Sequence, residues 1–349
     1  MPTYVYAGAS SRTGGNTSGV FRRAIDNGHW EHLTNGLGAD THAHAITVHP
    51  DEPAVVYAAT SSGLYRSLNH GDRWDRVVTP APGEQMWSVM IHPGNHRTIM
   101  TGTAPLGLYR SDDGGDTWRQ MPRPAIAERM VGAFPSRIMR LDVAPARPDE
   151  IYAAMEVNGA MRSDDGGQSW HDCSDELVRL SRQPALESAI LTKDKAEGML
   201  DVHALCVSPA APGTVFLALR MGLFRSTDRG AHWHDLEIGQ HAAHLRYGRD
   251  IVVAPQDAAI MYACVADSSR GKAGRIYRSQ DSGQSWRQFD HGIDVRSTMM
   301  AVALNRRDAQ QVHGITRQGQ SFSTLDGGKS WLEHRLPEGT GATVAIACG

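Results

Sequence analysis

The 349-residue sequence has few cysteines and no long apolar run. Its four cysteines, Cys173, Cys206, Cys264 and Cys348, include no C-x-x-C pair, so they indicate buried, reduced thiols rather than a dithiol or zinc motif. The first residues lack the basic and apolar segments of a secretory signal, and no apolar stretch is long enough to span a membrane. These absences predict a cytoplasmic protein without membrane contact.

The chain also lacks an excess of positive charge. Lysine and arginine number 35 and aspartate and glutamate 38, which gives a net charge of −3. Because binding to a phosphate backbone requires a basic surface, we expect no nucleic-acid partner. No linker or low-complexity stretch interrupts the sequence, and 40% of its residues are hydrophobic, so a single domain over residues 1–349 is predicted.

What the sequence does contain is a repeated motif that ends in tryptophan. Four copies read S-x-D-x-G-x-x-W, at residues 111–118, 163–170, 226–233 and 279–286. Looser copies lie at 67–74, 324–331 and 26–30. An aspartate that bonds to its own backbone and a glycine that permits positive φ suit a tight turn. We therefore predict a structural role for the motif aspartates Asp113, Asp165, Asp228, Asp281 and Asp326.

This motif resembles the Asp-box, or bacterial neuraminidase repeat, of sialidases, xyloglucanases, sortilin-type receptors and photosystem assembly factors. The resemblance covers nearly the whole chain and implies a β-propeller. It does not single out one member of the superfamily. The arginine triad and nucleophile of sialidases cannot be placed here, xyloglucanases pair two propellers, and sortilin-type domains have ten blades. The resemblance therefore implies an architecture and leaves the activity open.

The wider repeat of about forty residues has the length of a four-stranded blade. Six complete units, each with strands A to D, follow the chain. The N-terminus begins with a strand B pattern at 4–8, and the C-terminus offers an unused strand at 343–348. The prediction is thus an all-β, seven-bladed β-propeller of four-stranded antiparallel blades, in which the C-terminal strand joins the N-terminal three and leaves no free edge.

The longest connections are all predicted on one face of this ring, the face formed by the D–A and B–C loops. They are residues 122–136, 174–200, 237–247 and 267–274. Long loops commonly carry function. Within 174–200, two short amphipathic patterns at 175–181 and 185–191 predict a partly helical insertion beside the central funnel.

Aligning the A strands on their terminal proline nominates residues for the mouth of that funnel. Six positions before this proline or its equivalent stand His44, Trp87, Met139, His203, Arg249, Met299 and Thr343. Eight positions before it stand His42, Gln85, Arg137, Asp201, Tyr247, Ser297 and Gly341. Nearby loops add Arg129, Glu156, Arg220, His241 and His244. Because deeper positions are apolar, this concentration of polar side chains indicates a ligand pocket.

One chemistry that fits these residues is metal binding. His42, His44 and His203 are candidate ligands of a divalent metal ion that activates water or polarises a substrate oxygen. The H-x-H spacing of His42 and His44 supports this hypothesis, since alternate residues of a strand point to one face.

The other chemistry is anion binding. Arg137 and Arg249 are candidates to receive a carboxylate or phosphate, and Trp87 and Tyr247 to stack on a ring of the ligand.

Asp201 and His203 are the candidate catalytic acid and base. Together these residues favour an intracellular hydrolase or lyase that acts on a small polar, anionic or sugar-like molecule in the funnel. A divalent metal ion is a candidate cofactor of this enzyme. The alternative is a non-catalytic propeller that binds a protein or peptide on the face with the long loops. A broad flat apolar patch would favour the alternative.

Overall fold

A computed structural model describes residues 2–11, 16–26, 28–38, 40–125, 135–186, 198–238 and 244–349. Seven four-stranded antiparallel sheets form the blades of a ring, which confirms the predicted seven-bladed β-propeller. Among the described helices, none is long and apolar enough to cross a membrane.

The strands follow the repeat along the chain. Blade 7 contains β1 (Tyr4–Ser10), β2 (Gly19–Ala24) and β3 (Glu31–Leu33), and blade 1 contains β4 (Ala43–Val48), β5 (Val56–Thr60), β6 (Gly63–Ser67) and β7 (Asp75–Arg76). Blade 2 is β8 (Gln85–Ile91), β9 (Ile99–Ala104), β10 (Gly107–Ser111) and β11 (Arg119–Gln120). Blade 3 is β12 (Ile138–Val143), β13 (Ile151–Met155), β14 (Gly159–Ser163) and β15 (His171–Asp172).

The second half of the ring repeats this order. Blade 4 is β16 (Val202–Val207), β17 (Val215–Leu219), β18 (Gly222–Ser226) and β19 (His234–Asp235). Blade 5 is β20 (Tyr247–Ala254), β21 (Asp257–Ala266), β22 (Gly274–Ser279) and β23 (Arg287–Gln288). Blade 6 is β24 (Met299–Leu304), β25 (Val312–Thr316), β26 (Gln320–Thr324) and β27 (Leu332–Arg335), and β28 (Ala342–Cys348) completes blade 7.

The C-terminal strand closes the ring as predicted. β28 runs antiparallel to β1, with Val5 opposite Cys348 and Ser10 opposite Ala342. Two further backbone bonds join the ends of the pair, from Tyr4 N to Gly349 O (2.8 Å) and from Gly349 N to Tyr4 O (3.0 Å). Blade 7 is therefore held by both ends of the described chain.

The core lies between blades rather than inside one blade. The described residues form seven apolar clusters, and each is built mainly from two neighbouring blades. Strand B is buried throughout in blades 1, 3, 4 and 6. Strand D has only two residues in blades 1 to 5, which shortens the outer edge available for pairing with other chains.

The Asp-box aspartates are engaged within their own turns. Ser111 Oγ donates to Asp113 Oδ1 at 2.8 Å, and Thr117 N donates to the same oxygen at 2.9 Å. Hydrogen bonds from Thr117 and Ser111 hold the pKa of Asp113 well below its usual range. Equivalent bonds to a carboxylate occur at Asp165, Asp228, Asp281 and Asp326.

An arginine near the end of strand C joins three blades to the next, a contact that the sequence alone did not reveal. Its guanidinium donates to a backbone carbonyl in the following Asp-box turn. The bonds run from Arg22 to His70 (2.9 Å), from Arg66 to Gly114 (3.0 Å) and from Arg162 to Arg229 (3.1 Å). For Arg66 and Arg162 the signal was present in the sequence as an Arg-Ser pair at the start of the motif.

The insertion after blade 3 begins with helix α1 (Asp175–Leu180) and a 3₁₀ turn at Pro184–Leu186. Leu177 and Leu186 are buried in the cluster between blades 3 and 4. Residues 187–197, with most of the second predicted helix, lie outside the described residues, so the extent of the helical insertion stays a prediction.

The B–C turn of blade 3 contacts both stems of this insertion. Gly159 N donates to Leu200 O at 3.0 Å, and Ser174 Oγ donates to Asn158 O at 3.3 Å. Within this turn Val157 has a φ of 57°, a left-handed conformation that is rare for a β-branched residue. The turn that carries Glu156 is therefore held in place from two sides.

Candidate functional site

A β-bulge lies in strand A of each blade, at the predicted mouth of the funnel. The register of strand A against strand B shifts by one residue there, and a bulge re-aims the extra side chain. The extra residues are His44, Trp87, Met139, His203, Arg249, Met300 and Val344. We call this set the bulge ring.

Five of these positions are residues that the alignment on proline nominated for the mouth of the funnel. In blades 6 and 7 the alignment nominated Met299 and Thr343, whereas the bulges lie at the next residues, Met300 and Val344. The reason is that neither strand ends in proline, so the anchor of the alignment was missing.

Blades 1 to 3 are joined at the mouth by a three-layer stack. The rings of His44 and Trp87 lie parallel, with centroids 3.8 Å apart and an interplanar angle of 10°. Arg137 places its Cζ 3.8 Å from the Trp87 centroid, and since His44 covers one face of the indole, Arg137 covers the other. Arg137 also forms an ion pair with Glu156. In this arrangement Trp87 offers a ligand its edge rather than a free face.

The bulge also alters the predicted His42–His44 pair. His42 precedes β4, and the register shift at His44 breaks the alternation from which the common orientation was predicted. His44 Nδ1 instead donates a hydrogen bond to Met86 O at 2.8 Å. Across the described residues no group of three or more His, Cys, Asp and Glu side chains is arranged to hold a metal ion. The metal site stays a prediction.

His203 is the centre of a buried network between blades 4 and 5. Its Nδ1 lies 2.6 Å from Gly248 O, and because a carbonyl only accepts, Nδ1 carries the proton. Its Nε2 then accepts from the Tyr247 hydroxyl at 2.9 Å. Burial, reinforced by the positive charge of Arg249, lowers the pKa of His203, so the imidazole is neutral at pH 7.

Asp201 is the ionised member of this network. Its Oδ2 accepts from Arg220 at 3.2 Å and lies 3.2 Å from His203 Nε2. Burial opposes ionisation, yet the positive charges of Arg220 and Arg249 favour the carboxylate and lower the pKa of Asp201. Asp201 and His203 are only 6% and 7% exposed, so a substrate does not reach them in this conformation. The structure brings the predicted catalytic pair into contact, and its catalytic role stays a prediction.

Two arginines lie near the ring of Tyr247. The Cζ atoms of Arg220 and Arg249 are 5.7 Å and 5.8 Å from the ring centroid. Arg220 is paired with Asp201, whereas Arg249 has no carboxylate within 4 Å in the described part of the chain. Arg249 is partly exposed, and so it presents a positive charge without an acidic partner.

Deeper in the funnel, carboxylates cross-link the A strands. Arg140 of blade 3 donates to Asp250 of blade 5 at 2.9 Å, a contact that passes over blade 4. The second oxygen of Asp250 accepts from Val302 N of blade 6 at 3.0 Å. Asp142 accepts from its neighbour Val143 N and from Val207 N of blade 4, both at 2.8 Å. The Arg140 side chain is 41% exposed, and its charge is balanced by the buried carboxylate of Asp250.

Two buried aspartates with raised pKa values differ in their hydrogen bonds. Burial raises the pKa of both Asp142 and Asp290 to about 6. The oxygens of Asp142 accept two backbone N–H groups at 2.8 Å, whereas neither oxygen of Asp290, which is 1% exposed, has a hydrogen-bond partner within 3.5 Å among the described residues; Asp290 has only weaker polar contacts with Ile276 and Gln288. An ionised carboxylate without such bonds is costly to bury.

We therefore expect Asp290→Asn to stabilise the protein at pH 7.5 by about 2–3 kcal/mol. The folded pKa lies above the unfolded value, so the wild type loses stability as pH rises from about 4 to about 6. The advantage of the variant should grow over that window and stay constant above it. Urea unfolding from pH 4 to pH 8 measures the difference.

Asp142→Asn is the matched control for this prediction. Asp142 has the same raised pKa, so removal of its charge should give a similar gain at pH 7.5, but the amide nitrogen would face one of the two backbone N–H groups at a cost of about 1–3 kcal/mol. The net gain should therefore be clearly smaller than for Asp290→Asn, and equal gains would contradict the difference in hydrogen bonding between the two aspartates.

Two clefts of about 430 Å³ lie at the rim, outside the bulge ring. One is acidic and lies between α1 and blade 4, lined by Glu176, Asp228, His232, Trp233, Asp235 and Glu237 among others. The other is basic and aromatic, lined by His244, Leu245, Arg275, Tyr277, Trp286, Arg287 and Gln288. His244 thus lies at the rim, while Arg129 and His241 fall outside the described residues.

The repeat and the fold are similar to those of known proteins. A family model described as sortilin, neurotensin receptor 3, matches residues 62–203, less than half of the chain. No curated protein matches the sequence significantly.

Solved structures with the same fold include enzymes and a peptide-bound protein. A GH74 enzyme from Niastella koreensis superimposes with a TM-score of 0.61 and 15% identity, over 83% of this chain and 45% of that chain. The GH74 xyloglucanase from Xanthomonas campestris gives 0.62 and 16%, over 87% and 46%. YCF48 bound to D1 peptide gives 0.54 and 16%, over 93% and 88%. The chain spans less than half the length of these GH74 enzymes, and at such identities the likeness concerns the fold.

Proposed function

We propose that this protein is a ligand-binding propeller whose funnel receives an anionic molecule in the sector of blades 3 to 5. The observation that carries the proposal is Arg249, a bulge-ring arginine without an acidic partner in the described structure. Arginine binds carboxylates and phosphates with planar, paired hydrogen bonds. A partly desolvated guanidinium beside an aromatic ring is a favourable place for such a ligand.

The rest of the mouth directs an anion to this sector. In blades 1 to 3 the stack of His44, Trp87 and Arg137 is already occupied by its own contacts. Below the mouth, Arg140 is paired with Asp250, so Arg249 is the bulge-ring arginine that remains for an anion. The described ends of the connections after blades 3 and 4, residues 198–201 and 244–246, lead directly into the strands that carry His203 and Arg249.

We expect Arg249→Ala to weaken binding of acetate at least about tenfold, because the substitution removes the guanidinium that receives the carboxylate. The melting temperature should change little, since Arg249 is partly exposed and forms no ion pair. Isothermal titration calorimetry with acetate at constant ionic strength measures the affinity.

Arg73→Ala is the matched control, because Arg73 is exposed in an Asp-box turn and pairs with Asp75 alone. Unchanged acetate binding in Arg249→Ala, or equal losses in both variants, would contradict the site. His203→Ala is a poor probe, since it also leaves the Tyr247 hydroxyl and Gly248 O without their partner.

Hydrolysis is a second candidate function, favoured by the contact between Asp201, His203 and Tyr247. Enzymes such as GH74 xyloglucanases and a peptide-bound protein, YCF48, share the fold, so the fold is compatible with both classes. Assays with chromogenic glycosides and esters, with Asp201→Asn as the inactive reference, distinguish hydrolysis from binding without catalysis.

A cytoplasmic location and a divalent metal cofactor also stay proposals. Elemental analysis of the purified protein tests for the metal.

A further inference from the structure

The anion site is built as a unit of two arginines and one ring. Arg220 and Arg249 come from neighbouring blades, and their Cζ atoms lie 5.7 Å and 5.8 Å from the Tyr247 centroid. The two guanidiniums are therefore no more than about 11.5 Å apart, within the range at which a ligand on one is influenced by the charge of the other. We call these three residues the arginine unit.

Asp201 cancels one of the two positive charges. It pairs with Arg220 at 3.2 Å, and it is ionised because the charges of Arg220 and Arg249 stabilise its carboxylate. His203 adds no charge, since its Nδ1 donates to Gly248 O and its Nε2 accepts from Tyr247. The arginine unit together with Asp201 and His203 thus has a net charge of about +1.

The other arginines of the mouth are also balanced by carboxylates. Arg137 is paired with Glu156, and Arg140 with Asp250. A ligand at Arg249 therefore meets one uncompensated positive charge, while the carboxylate of Asp201 lies in the adjacent wall. A second negative charge finds no second free guanidinium, because Asp201 occupies Arg220. The desolvation cost of the ligand grows with the square of its charge, so a dianion loses more on entering this partly buried site than one uncompensated guanidinium returns.

We propose that the funnel selects a monoanion, such as a single carboxylate, over a dianion such as sulfate or a phosphate monoester, and that Asp201 determines this selectivity. The inference rests on the proposed anion-binding function. Asp201 is only 6% exposed, so it acts through Arg220 rather than by touching the ligand. This is a positioning role, distinct from the acid–base role predicted from the sequence.

The test compares acetate with sulfate, whose charges are −1 and −2 at pH 7.5. Isothermal titration calorimetry at constant ionic strength gives the affinity ratio for the wild type and for Asp201→Asn. The wild type should prefer acetate. The substitution keeps the size of the side chain and leaves both arginines uncompensated, so it should raise the sulfate-to-acetate affinity ratio about tenfold or more.

Asp75→Asn is the matched control, because Asp75 is an exposed strand D residue of blade 1 that pairs with Arg73. A folded Asp201→Asn variant with an unchanged ratio would overturn the selectivity proposal, as would a wild type that binds sulfate more tightly than acetate. The comparison of sulfate with acetate on the wild type tests the selectivity proposal even where the Asp201→Asn variant does not fold. Failure of the wild type to bind either anion would instead overturn the proposed function itself.

Discussion

A chain that ends at Gly341 should fail to form a stable monomer. The missing strand, β28, is the innermost strand of blade 7, and its six Cα partners on β1 would lose their hydrogen bonds. Its side chains also take part in the cluster between blades 6 and 7, which includes Cys348, Val344 and Ile346. Domains are stable by only about 5–15 kcal/mol, so loss of a strand that closes the ring exceeds what the fold tolerates.

The exposed edge of β1 should promote association of the truncated chains. Circular dichroism and sedimentation velocity would then show loss of the cooperative transition and the presence of aggregates. A synthetic peptide with the sequence of residues 342–349 should restore the transition, since β28 joins the sheet only by pairing with β1. A truncated chain that remains monomeric and melts like the full chain would show that β28 is dispensable.

Trp233→Ala should cost about 3–5 kcal/mol of unfolding free energy, as deletion of a buried aromatic ring commonly does. Trp233 is 2% exposed, and its Nε1 donates to Cys173 O at 2.8 Å. It lies in the same apolar cluster as Leu177 and Leu186 of the insertion, so the cavity would lie between blades 3 and 4. Urea or guanidinium unfolding at pH 7.5 measures the loss.

Trp118→Ala provides the comparison within the same motif. The sequence predicts an equally buried ring there, but Trp118 is partly exposed in the structure, so its removal should cost clearly less. The difference arises because the start of the insertion contacts Trp233, whereas Trp118 packs at a rim without such a segment. Equal costs for the two substitutions would refute this explanation.

The fold was predictable because each blade repeats the same turn motif and the same spacing of apolar strands. The Asp-box turn and the spacing of apolar runs define four strands per unit, and the unpaired patterns at both ends of the chain define how the ring closes. The contact that was missed, from Arg66 to Gly114 O, joins one repeat to the next. An alignment of single repeats does not show such a contact.

The candidate site was predictable only as a set of positions. The alignment on proline placed Arg137, Asp201 and Tyr247 at the entrance, and the pairs Arg137–Glu156 and Asp201–Arg220 connect them to residues nominated from nearby loops. The alignment could not show which of these residues form ion pairs, hydrogen bonds or ring contacts with one another. Trp87 was expected to stack on a ligand, yet His44 and Arg137 occupy its two faces.

Bulges explain why strand periodicity misled the analysis of the histidines. Alternation predicts that His42 and His44 share one face, but an extra residue in the strand interrupts the period at that point. The terminal proline marks where strand A ends and does not indicate a bulge upstream. Only the pairing with strand B reveals it.

The bulge ring places one residue per blade outside the regular pairing of strand A with strand B. These positions carry side chains as different as Trp87, Arg249 and Val344, while the backbone of the blade is the same. Under the proposed function, a change of specificity would therefore require substitutions at these positions and no new backbone. The ring therefore offers seven positions at which side chains can vary while the blades keep their hydrogen bonds and their core.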